Sequence, residues 1–254
     1  MTDTRGSIKA VEISLDVVET LVDRDGARVT EVAEAVGIAP STAHNHLQTL
    51  LANGLVLNEG SVFYPSLQYL EIGEYTRKRK AAYRKAQTRV ESLAAESGGR
   101  THFVVEEHGR GRYMYTNTGD LAVETFSGTG SSFPLHAAAA GKAILSQLPE
   151  ARVREIIDEH GLERQTENTI TAEEDLFEEL AEARETGVAF NIEEHNKGIS
   201  AVAAPVRDPS GGILGSLTIS GPAQRFKGET IREELPNTLL ATVNELELDI
   251  VYSN

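Results

Sequence analysis

Hydrophobic positions change their period along this chain. Ile8, Val11, Leu15, Val18 and Val22 recur at spacings of three and four, which predicts an amphipathic helix ending near Gly26. Thr30 then opens a short run in which Val32, Ala33 and Val36 share a face, and Gly37 can take the left-handed conformation that would close it. Pro40 suits a first helical position, and Ala43, Leu47, Leu50 and Leu51 follow at helical spacing until Asn53-Gly54. Residues 55–57 and 62–64 flank Asn58-Glu59-Gly60-Ser61, the pattern of a short hairpin with turn residues in the middle. Residues 69–97 read as one longer helix with Ala82, Ala86, Val90, Leu93 and Ala94 on its seam, closed by Gly98-Gly99.

From residue 101 the period shortens. Residues 102–106 and 112–116 flank Glu107-His108-Gly109-Arg110-Gly111, which predicts a β-hairpin. An extended stretch follows near residues 121–126, then a Gly/Ser loop at 128–132 and a helix over about 139–148. Two acidic helices are expected near residues 150–160 and 173–186, and a strand over 187–190. Residues 201–206 and 213–220 surround Asp208-Pro209-Ser210-Gly211-Gly212, a hairpin turn. Ile231, Leu235, Leu239, Val243, Leu246 and Ile250 form a last helix that Pro236 should kink or restart. Helices and at least five strands interleave, so this half is α+β or α/β.

The first half has the element order of a winged helix-turn-helix, although any small three-helix bundle shares that order. Ser41, Thr42, Asn45 and Gln48 fall on the open face of the third helix, opposite Ala43, Leu47 and Leu50. Short hydroxyls in a first turn suit phosphate contacts, and an amide can bond adenine N6 and N7 together. His44 and His46 could be partly packed, solvated or base-contacting. The candidate DNA face is therefore Ser41, Thr42, His44, Asn45 and Gln48.

Charge sharpens this picture. The 254 residues carry 39 acidic and 24 basic side chains, a formal net charge of -15, which argues against a general polyanion binder. Basic residues concentrate in one place: residues 71–100 hold eight against four acidic, between an acidic first segment and a strongly acidic last one. The cluster Arg77, Lys78, Arg79, Lys80, Arg84 and Lys85 could touch phosphates flanking a DNA site or pair with the acidic C-terminal half. Cysteine is absent, which excludes disulfides, thiolate metal sites and cysteine nucleophiles. No run approaches the ~18 to 20 apolar residues needed to span a bilayer, nor is there a signal core, so a cytoplasmic protein without membrane contact is expected.

Enzymatic signatures are thin. The chain has no Gly-x-Ser-x-Gly, no His-Glu-x-x-His and no phosphate loop, and Gly128-Thr129-Gly130 lacks the third glycine of a dinucleotide fingerprint. Glu193, Glu194, His195 and His136 could be read as metal ligands, but loop hydrogen bonding explains them as well. Lys142 reads as a structural lysine rather than a catalytic amine. No catalytic residue, metal or cofactor is expected.

Five segments together resemble the IclR family of transcription regulators: Ser41-Thr42-Ala43-His44, Pro134-Leu135-His136-Ala137 with Gly141-Lys142-Ala143, residues 187–195, Gly198 through Ala203-Ala204-Pro205-Val206, and Ile219-Ser220-Gly221-Pro222 with Arg225. The resemblance covers about residues 8–252. It implies an N-terminal winged helix-turn-helix (residues 8–68), a linker and dimerisation helix (69–98), and a C-terminal GAF-like α/β domain (99–254) that binds a small metabolite. It also implies a homodimer or dimer of dimers on palindromic double-stranded promoter DNA. The family's effector positions match Ala139, Ala140, Asn191, Ala201, Thr218 and Ser220 here. Two of these depart from the family: Asn191 replaces an Asp and Ala201 a Cys. Loss of the acidic charge favours an anion, so the expected effector is a small carboxylate or sugar acid.

On the third helix, Asn45 and His46 replace the family's usual Arg and apolar residue, and the wing carries Glu59 with no Lys or Arg. DNA affinity should then show a shallow salt dependence, since each neutralised phosphate contributes a slope of ~0.9. A ligand-sensing module that acts through a protein partner without specific DNA binding is the alternative reading.

Overall fold

The computed structural model describes residues 6–122 and 128–252, and the chain divides into two compact units, Met1–Thr76 and Arg77–Asn254. The first unit comprises α1 (Lys9–Asp23), α2 (Val29–Val36), α3 (Pro40–Ala52), β1 (Val56–Glu59) and β2 (Val62–Pro65). Each boundary has a local cause. Glu31 Oε2 accepts the Arg28 backbone N–H at 2.7 Å at the start of α2, and Gly37 ends it at φ 73°. Pro40 sits in the first turn of α3. The antiparallel register pairs Glu59 with Val62, leaving Gly60-Ser61 as a two-residue turn. Ala27 and Phe63 exchange backbone hydrogen bonds of 3.1 and 2.8 Å, tying the hairpin to the α1–α2 connection.

This unit's core is Val17, Leu21, Val32, Ala33, Ala43, Leu47, Leu50, Val56 and Phe63. The stripe read from the sequence on the first helix is different. Ile8, Val11, Leu15 and Val22 are 53–65% exposed, while Val17 and Leu21 point inward with Ile13 and Val18 beside them. Two apolar stripes coexist on α1, and periodicity alone cannot say which one the three-helix core takes.

The expected single helix over residues 69–97 is two. α4 runs over Gln68–Lys78 and α5 over Ala81–Ser97, with Lys80 extended (φ -106°, ψ 136°) between them. A run of four cations suits a helix C-terminus, where it faces unpaired carbonyls, better than a helix interior. Arg84 Nη1 donates to the Lys78 carbonyl at 2.8 Å across the break.

The second unit is built on a six-stranded antiparallel sheet: β3 (Arg100–Glu107), β4 (Arg110–Thr118), β5 (Ser132–Pro134), β6 (Ala189–Ile192), β7 (Ile199–Arg207) and β8 (Ile213–Pro222), in the order β5-β4-β3-β8-β7-β6. α5 and α9 (Leu235–Val251) cover one face, with Phe103, Val202, Ala204, Val206, Leu217 and Ile219 beneath them. α6 (Ala139–Leu145), α7 (Glu150–His160) and α8 (Glu173–Thr186) belong to the core of the other face, with Val104, Ala189, Ala201 and Ala203. Consecutive residues of β7 alternate between the two cores, as a strand buried on both sides must. The architecture is a winged helix-turn-helix unit followed by an α+β unit.

Other differences are local. β5 was not anticipated, because three residues carry too little pattern. The strand expected over 187–190 begins two residues later and so includes Asn191, because Gly187 caps α8 in the left-handed region at φ 79°. Of the extended stretch expected near residues 121–126, positions 123–126 lie outside the described residues. Pro236 restarts rather than kinks the last helix: a π turn at Thr230–Glu234 precedes α9, whose first turn holds the proline.

Candidate functional site

On α3 the structure separates two faces cleanly. Ala43, Leu47 and Leu50 are buried, whereas Ser41, His44, Asn45 and Gln48 are exposed and Thr42 half-buried. The polar set occupies the solvent side of α3, opposite the core. His46 is not part of it: its Nδ1 shares a 2.8 Å hydrogen bond with Ser14 Oγ of α1. His44 remains open. Wing residues Asn58, Glu59, Gly60 and Ser61 are all exposed, so the hairpin tip presents an acid and no cation.

In the second unit, Ala139, Ala140, Asn191, Ala201, Thr218 and Ser220 line one cavity of about 50 Å³. The register explains how residues up to 81 positions apart meet. Asn191 pairs with Ala201, Ala201 with Ser220, and His102 with Thr218. Side chains opposite one another on neighbouring strands lie ~5 Å apart. The start of α6 covers this patch: Ser216 Oγ, on the same face of β8, donates to the Ala140 carbonyl at 3.0 Å. Gly141 permits the approach, since a Cβ there would lie 2.1 Å from the Leu135 carbonyl oxygen.

The wall also contains residues that the sequence did not assign to the effector set: His102, Tyr113, Ala138, His195, Asn196 and Ile199. His102 and Tyr113 rings stand 4.7 Å apart, Tyr113 and Phe133 4.7 Å, and Phe133 and His195 5.7 Å, making an aromatic side to the cavity. For His102 a signal existed: it is a polar residue beside the apolar run Phe103-Val104-Val105 of a buried strand, which is costly unless the site uses it. Tyr113 carried no comparable mark, and His195 stood out only as a possible metal ligand.

Electrostatically the site is neutral. Among the described residues, no Lys, Arg, Asp or Glu lines it. Burial, with help from the nearby Arg100 charge, lowers His102 to about 3, so its imidazole is uncharged. Burial raises Tyr113 to about 12 and lowers His195. Hydrogen bonding is incomplete: Thr218 Oγ1 and His195 Nδ1 are buried without a partner among the described residues, and each such group costs about 1–3 kcal/mol when left unsatisfied. Asn191 Oδ1 accepts the Glu194 backbone N–H at 2.7 Å, which occupies one of its two lone pairs and leaves the two amide N–H groups as donors.

Beneath the rim, Lys142 of α6 is fully buried and holds Glu194 at 2.7 Å and Glu179 at 2.9 Å. Burial pushes the Glu194 carboxyl up and Lys142 pulls it back. Thr166 Oγ1 and Thr169 Oγ1 donate to the carbonyl of Glu194 at 3.1 and 2.6 Å. Glu194 is thus engaged by a lysine rather than turned toward His136, whose Nε2 donates to the Glu163 carbonyl at 3.0 Å. Among the described residues, no three metal-ligating side chains converge.

The basic cluster leans on its own unit. Arg77 stacks 4.9 Å over the Tyr115 ring, Lys80 4.9 Å over Tyr83, and the charges of Lys80 and Lys85 act on Asp208 and Asp249.

Two family models match the chain. The model described as the bacterial transcriptional regulator IclR C-terminal domain covers residues 76–248, and that of the IclR helix-turn-helix domain residues 10–60. The chain belongs to the IclR family. It is an IclR-type DNA-binding transcriptional regulator, and the alternative of a sensor without DNA recognition finds no support. This IclR-family chain is 26% identical over 245 residues to the Halobacterium salinarum protein named "Probable HTH-type transcriptional regulator ArcR", covering 95% of the former and 93% of the latter. The Thermotoga maritima IclR crystal structure superposes with TM-score 0.77 at 28% identity, covering 95% and 97% of the two chains. An IclR homologue from Microbacterium hydrocarbonoxydans, crystallised with 4-hydroxybenzoate, shares the fold with TM-score 0.82 at 21% identity, covering 96% and 100%.

Proposed function

We propose that this IclR-type regulator reads a palindromic promoter site through Ser41, Thr42, His44, Asn45 and Gln48 and is controlled by a small carboxylate or sugar acid in the cavity between β8 and α6. The observation that carries the effector reading is the pair of buried atoms Thr218 Oγ1 and His195 Nδ1, which have no partner among the described residues, on a cavity whose described lining holds no Lys, Arg, Asp or Glu. Neutral donors suffice for one carboxylate: a hydroxyl, an imidazole N–H and the N–H groups of the Asn191 amide, whose oxygen is turned to the Glu194 backbone N–H. An Asp at position 191 would offer an acceptor and a negative charge in the same place.

Self-association belongs to this reading. Ile8 just before α1, Val11, Leu15 and Val22 on it, and Leu70, Ile72 and Tyr75 on α4 are large and exposed. A homodimer, alone or as a dimer of dimers, would cover them and present two α3 helices to a two-fold site. The protein has no need of a cofactor or a reaction, and acts in the cytoplasm where promoters are. No helix among the described residues is long and apolar enough to cross a membrane.

Fluorescence anisotropy on DNA from upstream of the coding sequence, at several salt concentrations, tests the DNA half. Asn45→Ala/Gln48→Ala should lose sequence preference, each bidentate contact being worth about 1–3 kcal/mol, with the salt slope nearly unchanged. Equal binding by the variant overturns the assigned face. Isothermal titration with a panel of small carboxylates and sugar acids tests the effector half, and binding confined to cationic or apolar compounds overturns it.

A further inference from the structure

Tyr113 and Tyr115 lie two apart on β4, a spacing that puts both side chains on one face of a regular strand. Here they face opposite ways. Tyr113 stacks with His102 and Phe133 on the cavity side, while Tyr115 is buried in the core under α5 and α9. The register shows why: Phe103 pairs with Tyr115 and Val104 with Tyr113, so Met114 is an extra residue, a β-bulge. Met114 and Tyr115 both join the α5–α9 core.

On that side, Arg77 stacks its guanidinium 4.9 Å over the Tyr115 ring. Arg77 is the first residue of the C-terminal unit, two positions before the Arg79-Lys80 break between α4 and α5. One strand therefore touches the cavity and, through Arg77, the α4–α5 junction within three residues. A bulge is the place where a strand can change twist at low cost, because its ladder bonds are already interrupted.

We propose that the Met114 bulge couples the effector cavity to the α4–α5 junction: a ligand that displaces the Tyr113 ring alters the twist at Met114 and so the seat of Arg77 on Tyr115. Tyr115 and Arg77 are positioning residues in this scheme. It rests on the reading of the cavity as the effector site, and it requires a junction with two arrangements that the cavity biases.

Hydrogen exchange on the full chain tests it without any ligand. Tyr113→Ala should speed exchange of the amides at 78–83 by about fivefold or more, the lower end of ordinary allosteric coupling, and by less than about twofold in an Arg77→Ala or Tyr115→Leu background. Tyr113→Leu keeps more of the side-chain volume and replaces the alanine variant if that one does not fold. No change at 78–83 while β3 and β4 respond, or an equal change in all backgrounds, overturns the coupling. Such a failure leaves the effector reading standing, because the titration with carboxylates decides that separately.

Discussion

Lys142 and Glu194 form a bidentate pair in the interior: Lys142 Nζ lies 3.0 and 2.7 Å from the two Glu194 carboxylate oxygens, and the lysine has no exposed surface. The pair joins α6 to the rim segment that holds His195 and Asn196, so one ionic contact fixes both the roof and the edge of the cavity.

Lys142→Met should destabilise the protein by about 3–5 kcal/mol, because it removes the main partner of a buried carboxylate. Lys142→Met/Glu194→Gln should lose less, since the second change removes the stranded charge. Urea unfolding of the four proteins as a double-mutant cycle at pH 7 checks this, and a double variant no better than Lys142→Met would count against it.

Acid should weaken the second unit. His102 is held near 3 by burial, below the ordinary 6.5 of an unfolded histidine, so the native form takes up a proton less readily than the unfolded chain. The contribution is complete above about pH 6.5 and declines toward pH 3, by at most about 1.4 kcal/mol per pH unit. His136 and His195 shift in the same direction through burial. Thermal melts from pH 7 to pH 4.5 should show a flatter acid limb for His102→Gln than for the wild type.

Gly141→Ala puts a Cβ 2.1 Å from the Leu135 carbonyl oxygen. Backbone cannot yield as a flexible side chain would, so α6 must shift off the turn at Leu135–Ala137. The expected loss is about 1–3 kcal/mol or more, with a faster exchange of the α6 amides, read by urea unfolding and hydrogen exchange.

Val11→Glu/Leu15→Glu should leave the helical content unchanged, because both side chains are exposed in the single chain. Sedimentation should nevertheless shift from dimer toward monomer. A wild type that sediments as a monomer at micromolar concentration would remove the ground for this expectation.

Much of the fold was legible in order and type. Helices and strands long enough to show several periods, such as α3, α7, α8, β7 and β8, fall where the pattern puts them. Failures came where two local solutions are nearly equal. α1 carries two apolar stripes, and the cationic run at Arg77 to Lys80 is compatible with either a continuous helix or a helix end. The candidate cavity was legible only through the family resemblance for Ala139, Ala140 and Ala201, since an alanine carries no chemical signal. His102 could have been noticed as a polar residue in a buried strand.

The amino-acid sequence by itself determined the element types, the two-part organisation, the polar face of α3 and the family, because these depend on local periodicity and on motifs in fixed order. The tertiary structure decided which side chains share a space. Only the antiparallel register brings Asn191, Ala201 and Ser220 into one row and His102 beside Thr218. Only the extra residue Met114 turns Tyr113 and Tyr115 to opposite faces. Burial then set the charge states, lowering His102 while leaving Lys142 to be matched by Glu194 and Glu179. Desolvation and pairing depend on what lies across space, and neighbours in the chain do not specify that.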